Sequence, residues 1–119
     1  MTDIKLICLD MDGTLLRPDG HISERNVRAL KGLKAMGAEF LICTGRSYID
    51  ALEPLKEAGL RAPVVCMNGA AVYDWDGRLM DEIRLSERQV REILECCRKE
   101  DIIFDFMTDR GSYTTAKEA

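Results

Sequence analysis

Short apolar runs that stop abruptly at polar residues recur along this chain. Ile4-Lys5-Leu6-Ile7-Cys8-Leu9 predicts a buried strand over residues 4–10, ending at Asp10-Met11-Asp12-Gly13-Thr14-Leu15. Phe40-Leu41-Ile42-Cys43 predicts a second strand ending at Thr44-Gly45-Arg46, and Val64-Val65-Cys66-Met67 a third ending at Asn68-Gly69. Between them the period changes to that of helices. Val27, Leu30, Leu33 and Met36 recur at helical spacing behind an N-cap at Ser23, predicting a helix over 24–36 that stops at Gly37. Ser47 caps a second helix through Ala58, with Gly59 ending it and Pro54 expected to kink or divide it. Strands separated by helices predict βαβ crossovers and a parallel sheet, hence an α/β fold.

The pattern changes near residue 80. Ala71-Val72-Tyr73 and Leu79-Met80 flank the hairpin turn Asp76-Gly77. Ser86-Glu87-Arg88-Gln89 has capping-box spacing, with Val90, Ile93, Leu94 and Cys97 following on one helical face. Ile102-Ile103-Phe104 and Tyr113-Thr114-Thr115 predict two strands around a turn at Asp109-Arg110-Gly111. We place a boundary between residues 1–81 and 82–119.

Composition bounds the function. The 119 residues are 46% hydrophobic and 32% charged, as expected of a soluble globular domain. A net charge of −4 gives no bulk attraction to nucleic acid or to an anionic membrane. A phosphate site on such a chain needs local cations, backbone N–H groups or a metal. No apolar run is long enough to span a bilayer, and the amino terminus lacks a secretory pattern. Cys8, Cys43, Cys66, Cys96 and Cys97 form no C-x-x-C pair and read as buried thiols of a cytoplasmic protein.

Asp-x-Asp-Gly-Thr directly after an apolar strand is the most specific signal. Open α/β sheets hold ligands at the carboxyl ends of their strands. Two neighbouring carboxylates repel, and a divalent cation bridging to phosphate oxygens offsets that repulsion. Hard oxygen donors beside a phosphate suit Mg²⁺. The turn at Gly13 aims backbone N–H groups at an anion. One carboxylate can attack phosphorus to form an aspartyl-phosphate, and the second can move protons to the leaving oxygen and from water. Thr44 also fits a hydroxyl satisfying a turn, Arg46 a surface salt bridge, and Asn68-Gly69 a plain turn.

Asp10-Met11-Asp12-Gly13-Thr14-Leu15-Leu16, Thr44-Gly45-Arg46 and Asn68-Gly69-Ala70 together resemble the haloacid dehalogenase superfamily of phosphohydrolases. The likeness is closest to the Cof-type sugar-phosphate phosphatases, which carry a large α/β cap after the second motif. It implies a Rossmann-like core over 1–81 and the start of a cap over 82–119. It implies Asp10 as nucleophile and Mg²⁺ ligand, and Asp12 as general acid–base that also lends its backbone carbonyl to the metal. Thr44 would bind the transferring phosphoryl group, with Met11, Gly13 and Gly45 beside it and Arg46 and Asn68 on the substrate side. The resemblance implies a small phosphorylated metabolite as substrate. A phosphomutase, or a non-catalytic module keeping the first two motifs, is the alternative. The family's third-motif lysine and its Gly-Asp motif have no clear counterpart, and no Gly-Asp pair occurs in the chain. The expectation is therefore the amino-terminal part of a longer phosphatase, whose open sheet edge favours self-association.

Overall fold

The computed structural model describes residues 3–115. Its main sheet has five strands: β1 (Leu6–Asp10), β2 (Glu39–Cys43), β3 (Val64–Cys66), β4 (Ala71–Tyr73) and β5 (Leu79–Glu82). They lie side by side in chain order. β1 pairs with β2 and β2 with β3 in parallel; β4 and β5 continue the sheet antiparallel. Helix α1 (Glu24–Leu33) links β1 to β2, and α2 (Tyr48–Glu57) links β2 to β3. After β5 come α3 (Glu87–Lys99) and a separate two-stranded sheet of β6 (Asp105–Thr108) and β7 (Gly111–Thr114).

The helix ends follow from the sequence. Ser23 Oγ accepts from the Asn26 N–H at 3.2 Å, Ser47 Oγ from the Asp50 N–H at 3.3 Å, and Ser86 Oγ from the Gln89 N–H at 3.2 Å. Gln89 returns the bond to the Ser86 N–H, closing the predicted capping box. α1 tightens into a 3₁₀ turn at Lys34–Met36 before Gly37 takes up the left-handed conformation, φ 74°. That tightening carries Met36 off the helical face it was expected to share, and it is 80% exposed. α2 runs unbroken through Pro54, which neither divides it nor stops it.

The core lies between α2 and the middle of the sheet. Met11, Ile42, Ala51, Leu55, Val64 and Cys66 are fully buried there, and the Tyr48 ring stacks on Tyr73 at 3.8 Å between centroids. Ile42 and Val64 face this core from adjacent central strands, so their β-branched side chains fill it without losing rotamer freedom.

Three expectations need correction. β1 is not a buried strand. It pairs on one side only, among the described residues, and Leu6 is about half exposed. The thiols are not generally buried either: Cys66 is, whereas Cys8 and Cys96 are exposed and Cys43 and Cys97 lie between. Cys8 sits on β1, the edge strand of the sheet among the described residues. Finally, Ile102–Phe104 is not a strand. α3 ends with Asp101 at φ 52° and the Ile102 N–H bonded to the Cys97 carbonyl, so residues 102–104 form the exit from the helix. Pairing begins at Asp105, opposite Thr114. The turn at Asp109–Arg110 is where it was expected, but the strand entering it lies downstream.

β1 meets the core only through the partly buried Ile7 and Leu9, while Leu6 faces out, which makes a quantitative contrast. Ile42→Ala should lower unfolding free energy by about 2–5 kcal/mol, whereas Leu6→Ala should cost less than about 1 kcal/mol. Urea denaturation of the two variants checks this; equal losses would mean that β1 is as well packed as β2.

Candidate active site

The parallel register assembles the site. Asp10 lies opposite Cys43, and Cys43 in turn lies opposite Val65. The polar residues that follow each strand therefore leave the sheet at one edge. They are Asp12-Gly13 after β1, Thr44-Gly45-Arg46 after β2 and Asn68-Gly69 after β3.

After β1 the backbone turns at once. The Leu16 N–H closes onto the Met11 carbonyl at 2.9 Å, and Gly13 sits at φ 75°, a conformation glycine adopts without strain. Met11 sends its side chain into the core, so of this residue only the backbone belongs to the strand edge. Leu16 and Ile22 then form a single antiparallel bridge, which closes a short hairpin beside the acids. Thr14 Oγ1 donates to Asp10 Oδ2 at 3.3 Å, which steadies the exposed Asp10 carboxylate.

The second strand end is more tightly tied. Thr44 is buried, and its Oγ1 accepts from the Arg46 N–H at 3.1 Å, which leaves the hydroxyl proton to donate elsewhere. The Thr44 N–H bonds the Val65 carbonyl, the Asn68 N–H bonds the Thr44 carbonyl, and the Met67 N–H bonds the Arg46 carbonyl. These bonds lace the loop after β2 to the loop after β3. Met67 and Asn68 both take positive φ, 50° and 55°, to make that approach. The approach also explains Gly45: a Cβ there would lie 2.9 Å from Asn68 Oδ1. The Thr-Gly-Arg and Asn-Gly motifs are thus one structural unit, which their spacing in sequence does not reveal.

Arg46 is committed to Asp12. Its Nε donates to Asp12 Oδ2 and its Nη2 to Asp12 Oδ1, both at 2.8 Å. This two-pronged hydrogen bond holds the Asp12 carboxyl below its ordinary value, against a smaller opposing effect of desolvation, and it raises Arg46 in turn. The sequence left Arg46 open between a substrate contact and a surface salt bridge; in the structure it is paired, with a carboxylate of the first motif. A cleft of about 360 Å³ opens beside this pair, lined by Asp12, Gly13, Leu16, Arg17, Pro18, Gly20 and Arg46. Burial pushes the Cys43 and Cys66 thiols up, so neither is prepared as a thiolate nucleophile.

Among the described residues no group of three or more metal-ligating side chains gathers. The strand edge nevertheless offers hard oxygens: the Asp10 carboxylate and the carbonyl of Asp12, whose own carboxylate is occupied by Arg46. That donor set suits a cation that keeps several waters, the habit of Mg²⁺.

Because Asp12 is depressed, the stability its pairing adds is present above the ordinary carboxylate range and is lost as pH falls through the folded value. A ¹³C titration of the Asp12 carboxyl should give a midpoint below 3.8, moving upward in Arg46→Met. Identical midpoints in both proteins would mean that the pair does not form in solution.

Comparison with known proteins agrees with this geometry. Residues 7–119 match the family model of haloacid dehalogenase-like hydrolases. Phosphatase YwpJ of Bacillus subtilis (strain 168) is 31% identical over 111 residues, covering 93% of this chain and 39% of that protein. The 5-amino-6-(5-phospho-D-ribitylamino)uracil phosphatase YwtE of the same organism is 31% identical over 106 residues, covering 89% of this chain and 36% of that protein. A solved haloacid dehalogenase-like hydrolase from B. subtilis superposes with a TM-score of 0.87 at 30% identity, over 97% of this chain and 40% of that one. The chain thus spans about two fifths of the length of the relatives it matches. With both motifs at one strand edge and a family match over nearly all its residues, the chain belongs to the haloacid dehalogenase-like hydrolases.

Proposed function

We propose that this chain carries the nucleophile half of a Mg²⁺-dependent phosphomonoesterase that works through an aspartyl-phosphate. The observation that carries the reading is the union of Asp10, Asp12 and Thr44 at one edge of a parallel sheet, by the β1–β2 register. The phosphatase names of the relatives support the reaction class. One of those names specifies a phosphorylated ribityl compound, which supports a small phosphorylated metabolite as the substrate class here.

In this reading an Asp10 carboxylate oxygen attacks phosphorus, a new P–O bond forms, and the bond to the leaving oxygen breaks. Arg46 holds Asp12 ionised, so Asp12 takes the proton that a phosphate monoanion brings and passes it to that oxygen. Water then attacks the phosphoryl group on Asp10, Asp12 takes the water's proton, and phosphate leaves with the Asp10 carboxylate restored. The Thr44 hydroxyl donates to a phosphoryl oxygen throughout, from a buried position that needs no reorganisation. Backbone N–H groups around Gly13 face the same anion. The Asp10 carboxylate and the Asp12 carbonyl would hold Mg²⁺, which when bound would supply positive charge to offset the repulsion between the phosphate and an anionic nucleophile. Self-association through the outer edge of β1 belongs to the same reading, because among the described residues no strand pairs with that edge and its backbone can take up a second chain.

Phosphate release from para-nitrophenyl phosphate in Mg²⁺ tests this reading. Asp10→Asn should lower turnover by more than about a thousandfold, and Thr44→Val by about 10–100-fold. Turnover that survives Asp10→Asn would remove Asp10 as the nucleophile.

A further inference from the structure

Pro54 stands inside α2, where it removes a backbone donor without breaking the helix. In an α-helix the carbonyl of residue i accepts from the N–H of residue i+4. Asp50 is the third residue of α2, and its i+4 residue is Pro54, which has no N–H. The Asp50 carbonyl therefore lacks its helical donor. Arg46 supplies one: Nη1 donates to that carbonyl at 3.3 Å. Asp50 itself is fixed from two other directions. Ser47 Oγ donates to Asp50 Oδ2 at 2.6 Å and accepts from the Asp50 N–H. Ser47 is buried, so the acceptor stands on a rigid cap.

All three guanidinium nitrogens of Arg46 are thus engaged, two on Asp12 and one on Asp50. A guanidinium is planar, so fixing one edge on the helix sets the direction of the other. The fixed edge comes from a proline, and the directed edge holds Asp12. Each Asp12 oxygen accepts one bond from Arg46 and keeps a second lone pair for another partner.

We propose that Arg46 is a positioning residue for Asp12, and that Pro54 makes it one by leaving the Asp50 carbonyl open to it. This rests on the reading of Asp12 as the acid–base group. Pro54 also packs in the core beside Ala51 and Leu55, and a purely structural proline would do no more than that. The two roles separate in Pro54→Ala. Alanine restores an N–H to the helix, so the Asp50 carbonyl regains its intrahelical donor and Arg46 loses its support.

The test uses the intact chain, with kcat/KM measured on two phosphate monoesters. An aryl phosphate leaves with little help, whereas an alkyl phosphate needs a proton on its leaving oxygen. Arg46→Lys keeps the charge but not the planar fork, and it should lose at least about tenfold more on the alkyl than on the aryl ester. Pro54→Ala should show the same selective loss at about threefold or more while its melting temperature stays level or rises. The double variant Asp12→Asn/Arg46→Lys should be no slower on the alkyl ester than Asp12→Asn alone. A ratio of alkyl to aryl turnover unchanged in either single variant, or additive losses in the double variant, would overturn the proposal. A chain that hydrolyses neither ester counts against the phosphatase reading alone, because a second measurement reads the geometry without turnover. The Arg46 Nε–H resonance should be protected from solvent exchange in the wild type, unprotected in Asp12→Asn and several-fold less protected in Pro54→Ala. Equal protection in the wild type and Pro54→Ala would overturn the proposal whatever the activity.

Discussion

Parallel pairing of β1, β2 and β3 is the constraint on which the site depends. A parallel ladder sends every strand out of the sheet in the same direction, so each strand's polar tail emerges at one edge. The register sets the distance along that edge: Asp10 stands opposite Cys43, and Thr44 is therefore the next residue out. An antiparallel arrangement of the same strands would send the two motifs to opposite ends. The antiparallel β4–β5 hairpin extends the sheet on the far side of β3, and β5, parallel again to β3, ends at the same edge with Asp81-Glu82.

The edge is held by hydrogen bonds more than by packing. Loops after β2 and β3 exchange backbone bonds, Asn68 closes over Gly45, and Arg46 spans from Asp12 to α2. This arrangement answers an electrostatic problem. The chain is acidic overall, and two aspartates crowd the first motif. Arg46 neutralises Asp12 at 2.8 Å and leaves the exposed Asp10 carboxylate, which accepts from Thr14, as the open anionic group. Two adjacent acids so acquire different environments, and separate environments are what allow separate roles.

Much of this was legible in the sequence because it is local. Apolar runs, Ser caps at 23, 47 and 86, and glycines after helices each act within a few residues, and the structure places the three helices and the first three strands where those signals fall. What could not be read depends on who lies beside whom. The Ile4–Leu9 run looks like a buried strand whether or not a second neighbour exists, and the strand order shows that β1 has one partner among the described residues. Ile102–Phe104 has strand composition, but the helix exit claims it through Asp101 and the Cys97 carbonyl. Arg46, Asn68 and Gly45 were visible as motif residues, whereas their mutual contacts arise from the fold. Pro54 carried a usable signal: a proline four residues after Asp50 marks an unclaimed carbonyl near the start of a helix whose cap follows Arg46.

The central claim is that Asp10 attacks phosphorus. The most direct measurement is to quench the chain during turnover of a phosphate monoester in Mg²⁺, reduce the acyl phosphate with borohydride and map the product by mass spectrometry. The account predicts homoserine at position 10 and unmodified aspartate at position 12. Reduction at another residue, or phosphate release with no reducible acyl phosphate at Asp10, would contradict it.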